Sequence, residues 1–67
     1  MTRDVKRLVA ALEAVGAEVT LGRAGHLRVR HPSAHRLVWL PSTPSDRRWM
    51  ANKISEMRSA GIPPVRL

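Results

Sequence analysis

Apolar residues at Val5, Leu8, Val9, Leu12 and Val15 recur at helical spacing, which lines one face of an α-helix. Thr2 is placed to cap its start, Asp4 falls in the first turn, and Gly16 stands where a left-handed residue ends a helix. Past Gly16 the period changes to that of a strand. Ala17, Val19 and Leu21 alternate with Glu18 and Thr20, predicting a strand over 17–21. Gly22–Gly25 reads as a turn, and residues 26–31 as a second strand with Leu27 and Val29 on one side and His26, Arg28 and Arg30 on the other. Pro32-Ser33-Ala34-His35 is a second turn signal. The third strand, 36–40, is apolar on both faces, so alternation leaves open which face is buried; Pro41, lacking an N–H, ends it. Thr43-Pro44-Ser45-Asp46 has the form of a capping box with proline at the first helical position. Met50, Ile54 and Met57 then carry a second helical stripe flanked by Trp49 and Ala51. Gly61 closes that helix, Ile62 can fold back on its last turn, and 63–67 form a short tail. The expectation is one small α+β domain over 1–67, in the order α-β-β-β-α. A three-stranded antiparallel sheet carries both helices on one face and leaves the other open.

Length and charge narrow what such a domain can do. A chain of 67 residues buries only about 60% of its unfolded surface, so a shallow groove is expected and a small-molecule pocket is not. The formal charge is +7, from 12 Lys+Arg against 5 Asp+Glu. That balance favours a polyanionic partner, nucleic acid above all. No apolar run approaches a membrane span, the N-terminal pattern is amphipathic instead of signal-like, and cysteine is absent; a cytoplasmic location is expected. His26, His31 and His35, spaced five and four apart, match no zinc-ligand pattern, and neither a metal nor a cofactor is expected.

Candidate chemistry concentrates in Gly22-Arg23-Ala24-Gly25-His26-Leu27-Arg28-Val29-Arg30. A titratable imidazole beside permanent cations is suited to gripping phosphate and to moving a proton near it. Arg23, Arg28 and Arg30 are candidate phosphate ligands around His26. Arg7, Arg47 and Arg48 extend the basic surface onto the first helix and the start of the second. These helical cations also serve plain solubility. Trp39 and Trp49 have the chemistry to stack on bases, but in a chain without phenylalanine or tyrosine they are expected in the core.

Order and spacing together resemble the HicA-type mRNA interferase toxins, a family with the double-stranded-RNA-binding-domain-like fold. Val5–Ala17 corresponds to the family's first helix and its exit. Ala24-Gly25-His26 falls where its Gly-Ser-His motif lies, Val38-Trp39-Leu40-Pro41 matches its third strand, and Arg58-Ser59-Ala60-Gly61-Ile62 its helix end. The chain departs from the motif in having Ala24 for the leading glycine and Gly25 for the serine. The resemblance covers nearly the whole chain. It implies a metal-independent endoribonuclease with His26 as the catalytic residue, a bacterial or phage origin, and a HicB-type antitoxin masking the basic face. Two rivals stand beside it: an RNA-binding module of the same fold without chemistry, and a DNA-binding or protein-docking accessory protein of phage type.

Overall fold

Helix α1, Arg3–Ala14, begins where Thr2 Oγ1 accepts the Val5 N–H at 3.3 Å, satisfying one of the unpaired donors of a helix start. The computed structural model describes residues 2–66; Met1 and Leu67, the outer ends of the expected domain and tail, lie outside them. The helix ends as the glycine predicts. Gly16, at φ +90°, donates its N–H to Glu13 O, and Ala17 donates to Leu12 O, so two terminal carbonyls gain partners as the chain reverses.

The chain then enters an antiparallel meander in the order β1-β2-β3: Glu18–Leu21, Leu27–Arg30 and Val38–Leu40. Register sorts the two faces. Val19, Val29 and Val38 form one cross-strand row and Leu21, Leu27 and Leu40 another. Both rows face the helices. Thr20, Arg28 and Trp39 form a row on the opposite face, with Glu18 opposite Arg30 beside it. The ambiguity of the third strand is thereby resolved: Val38 and Leu40 are fully buried and Trp39 points away from the core, 43% exposed. The expected core role of Trp39 is corrected. Leu21, at the free edge of β1 beside the turn, is also exposed.

Helix α2, Trp49–Ala60, starts later than its sequence signal. Thr43 and Pro44 do not cap it. Proline steers the residue before it away from helical backbone, and the polar group that acts is Asp46. Its carboxylate accepts the Arg48 N–H at 3.0 Å and its carbonyl the Trp49 N–H at 3.3 Å, forming a turn ahead of the helix. The far end obeys the sequence reading. Gly61, at φ +100°, bonds Arg58 O, and Ile62 N–H bonds Met57 O.

Both helices cover the same face of the sheet. Val5, Leu8 and Leu12 from α1 meet Leu27, Val29, Val38 and Leu40 from the sheet and Met57, Ala60 and Ile62 from the α2 end. Trp49, Met50 and Ile54 pack partly against this cluster, as does Val65, so the tail folds back onto α2. The strands are shorter than the sequence suggests because flanking residues bond elsewhere. His35 N–H donates to Ala60 O at 2.9 Å and Arg36 Nη2 to Glu56 O at 3.4 Å, which ties the residues ahead of β3 to the second helix instead of the sheet. Among the described residues no helix is long and apolar enough to cross a membrane.

Candidate nucleic-acid interface

Arg23–Gly25 carry the chain from β1 to β2. The turn is closed by the Gly22 N–H donating to His26 O at 2.7 Å and the His26 N–H donating to Arg23 O at 3.1 Å. Ala24 and Gly25 are both left-handed, at φ 58° and 74°. Glycine adopts that backbone at no steric cost, whereas Ala24 bears a penalty of about 1–2 kcal/mol. The altered motif thus still forms a tight turn, with strain at Ala24.

His26 lies just before β2 but keeps extended backbone, φ −83° and ψ 146°. Strand alternation therefore continues through it, and its ring falls on the same side as Arg28. Together with Gly22, Arg23, Ala24 and Trp39 they line one open hollow on the uncovered face of the sheet. The His26 side chain is exposed, and among the described residues it makes no hydrogen bond. Among the described residues no carboxylate lines this hollow.

The floor of the hollow is held by Trp39. It stands directly across from Arg28 in the sheet register, and its indole lies against the backbone at Gly22. A Cβ at position 22 would fall 2.5 Å from Trp39 Cζ3. Glycine is needed there for close approach, its φ being an ordinary −101°. Arg28 is half-buried, and its Nε is shielded from solvent with no hydrogen-bond partner among the described residues.

The other expected site residues divide. Arg23 and Arg28 share the hollow with His26. Arg30 is on the same face, two residues further along, and borders separate depressions with His31 and with Arg36. Among the described residues the ion pair is Lys53–Glu56 at 3.1 Å; Arg30, although opposite Glu18, forms none. Arg7, Arg47 and Arg48 are exposed but belong to the helical layer and the loop before it. That layer meets the turn at one end of the molecule. Thr2 N–H donates to Ser42 O at 3.2 Å, and a Cβ on Gly25 would lie 3.4 Å from Ser42 Oγ. Ser42, in the loop ahead of α2, therefore borders the β1–β2 turn and joins it to the start of α1. Arg47 shares its depression with Asp4 and Asp46, which offset its charge.

Two placements escaped the sequence. Trp39 was hidden by a strand apolar at every position. His31, at the other end of β2, is a structural residue: its Nε2–H donates to Val15 O at 2.8 Å, and its Nδ1 accepts the Ser33 N–H at 3.0 Å. It takes no part in the hollow. Among the described residues no cluster of His, Cys, Asp or Glu could hold a metal ion.

The arrangement offers an exposed imidazole, two guanidinium groups and an indole on one uncovered face. The imidazole can exchange a proton with a bound ligand, the guanidinium groups can hold phosphate oxygens, and the indole presents a flat apolar surface. No family model, curated protein or solved structure matches this chain, so its function has to be argued from the site itself.

Proposed function

We propose that the protein is a small endoribonuclease of the HicA-like mRNA interferase type, binding RNA at the β1–β2 turn and cutting it without a metal. The observation that carries this reading is the exposed His26 imidazole beside Arg23 and Arg28 in a hollow where, among the described residues, it has no hydrogen-bond partner and no carboxylate as neighbour. RNA supplies its own nucleophile. His26 removes the 2′-hydroxyl proton, and the 2′-oxygen attacks the adjoining phosphorus. The bond to the 5′-oxygen breaks, and that oxygen takes a proton from water. The products are a 2′,3′-cyclic phosphate and a 5′-hydroxyl end. Arg23 and Arg28 stabilise the charge that builds on the phosphate oxygens. Arg30 extends the track for the flanking backbone, and Arg7 and Arg48 add positive charge on the helical side, where Asp4 and Asp46 offset that of Arg47. The reading brings with it a HicB-like antitoxin as protein partner and a cytoplasmic site of action.

The test compares the wild type with His26→Ala on RNA in the presence of EDTA, with binding measured for both. Cleavage by the wild type and a loss of about 10²–10⁴-fold in His26→Ala, with binding retained, is the expected result. If neither cuts and both bind alike, the protein is an RNA-binding module without chemistry. The exposed Trp39 beside Arg28 favours that second reading over the DNA-binding and docking alternatives, because indole and guanidinium together suit bases and phosphates.

A further inference from the structure

We propose that Trp39 is the stacking platform for one unpaired base of the RNA, so that the open sheet face takes single-stranded and not duplex substrate. The proposal rests on the reading that this face binds RNA, and it goes on to assign the strandedness of the substrate and the residue that selects it.

Three features of the hollow point the same way. First, the indole is outward and held in place. Trp39 is 43% exposed while its neighbours Val38 and Leu40 are fully buried, and it rests on the backbone of Gly22, where a Cβ would overlap it. A flat ring fixed in advance loses little freedom when a base settles on it. Second, the surroundings are cationic. Arg23, His26 and Arg28 line the hollow with no acidic residue among them, so a nucleotide finds an apolar surface for its base and positive groups for its phosphate. An apolar protein segment would instead leave those cations desolvated without partners. Third, Arg28 is drawn half-buried against the sheet opposite Trp39, with its Nε unpartnered among the described residues. A buried donor without an acceptor is a cost, which a phosphate or base oxygen arriving beside the indole relieves.

Strandedness follows from the geometry. A base within a duplex is stacked on both faces and cannot present one to an indole lying in the floor of a hollow. An unpaired base can be splayed out and laid on it. His26 lines the same hollow, so a base on Trp39 brings its adjoining phosphate towards the imidazole.

The experiment measures binding of a short end-labelled single-stranded RNA and of the matching duplex by anisotropy, using full-length protein in a His26→Ala background so that the probe stays intact. Trp39→Ala is expected to weaken single-strand binding by about 5- to 150-fold and to leave duplex binding unchanged. Trp39→Phe should restore most of the loss. Gly22→Ala, which keeps the indole but lifts it from its seat, should also weaken single-strand binding. In a Trp49→Phe background the single strand should quench the fluorescence of Trp39. The quench and Gly22→Ala decide the matter even if Trp39→Ala does not fold.

Equal single-strand affinity in the Trp39→Ala, Gly22→Ala and parent proteins overturns the proposal. So does a variant that releases a co-purifying protein while holding RNA as before, which would make the hollow a protein-docking site. Absence of RNA binding by every form overturns both this proposal and the nuclease reading. RNA bound through Trp39 but left intact by the protein with His26 present supports the stacking platform and removes only the cleavage.

Discussion

The two ends of strand β2 carry a histidine each, and their surroundings are opposite in kind. At one end His26 stands exposed beside a strained turn, with no hydrogen bond to its ring among the described residues. At the other, His31 binds the last turn of α1 through Val15 O and its own loop through the Ser33 N–H. Ser33 Oγ continues the connection by donating to Gly61 O at 2.6 Å, and His35 N–H reaches Ala60 O. The closing ends of both helices are thus knitted to one loop through groups that helices leave unsatisfied. The contrast sets a side chain bound into the fold five residues from one left open to a ligand. A side chain whose ring nitrogens are both engaged cannot readily exchange a proton with a ligand, and one with neither engaged adds little to the fold.

The sharpest way to break that contrast is to remove each histidine in turn. His26→Ala should lose cleavage by about 10²–10⁴-fold with its thermal midpoint nearly unchanged; a large drop in the midpoint would mean that His26 is structural after all. His31→Ala should do the reverse. It leaves the Val15 carbonyl and the Ser33 amide without partners, costing about 1–3 kcal/mol, read as a fall in melting temperature of about 4–8 °C per kcal/mol for a chain of this size. RNA binding per folded molecule should persist.

Gly61→Ala tests the knitted end without touching a histidine. The residue sits at φ +100°, and a new Cβ would lie 2.6 Å from Ser33 O. A loss of about 1–2 kcal/mol from backbone strain alone is expected in denaturant unfolding, with more from displacement of the loop. An unchanged unfolding midpoint would show that the loop is not held there. The smallest effect belongs to the open end and has the opposite sign. Ala24→Gly relieves the left-handed penalty at φ 58° and adds freedom to the unfolded chain, for a net stabilisation of no more than about 1 kcal/mol. A destabilised variant would mean that the alanine side chain is in use.

Much of the fold was legible because its signals are local. The α1 stripe, the cap at Thr2 and the glycines that end both helices act within a few residues of themselves, and each stands where the sequence places it. The start of α2 was misread for a local reason too: Thr43-Pro44 has the form of a cap, but Asp46 makes the bonds that shape the turn before Trp49. The candidate site was legible only in part. Alternation placed His26 and Arg28 on one side, and both line the hollow. It also placed Arg30 on that face, but distance along the strand carries Arg30 to other depressions.

By itself, then, the sequence determined the elements and their order, the polarity of β2 and the chemistry of the turn. These depend on periodicity, caps and backbone preferences that neighbouring residues settle among themselves. Only the tertiary structure decided which side of Val38-Trp39-Leu40 faces the helices, because a run apolar on both sides contains no preference until a core claims one of them. It also decided that Gly22 gives Trp39 its seat, and that His31 is bound to Val15, 16 residues before it. Those outcomes depend on which strands and helix ends meet, and that meeting is made by the packing of the whole chain.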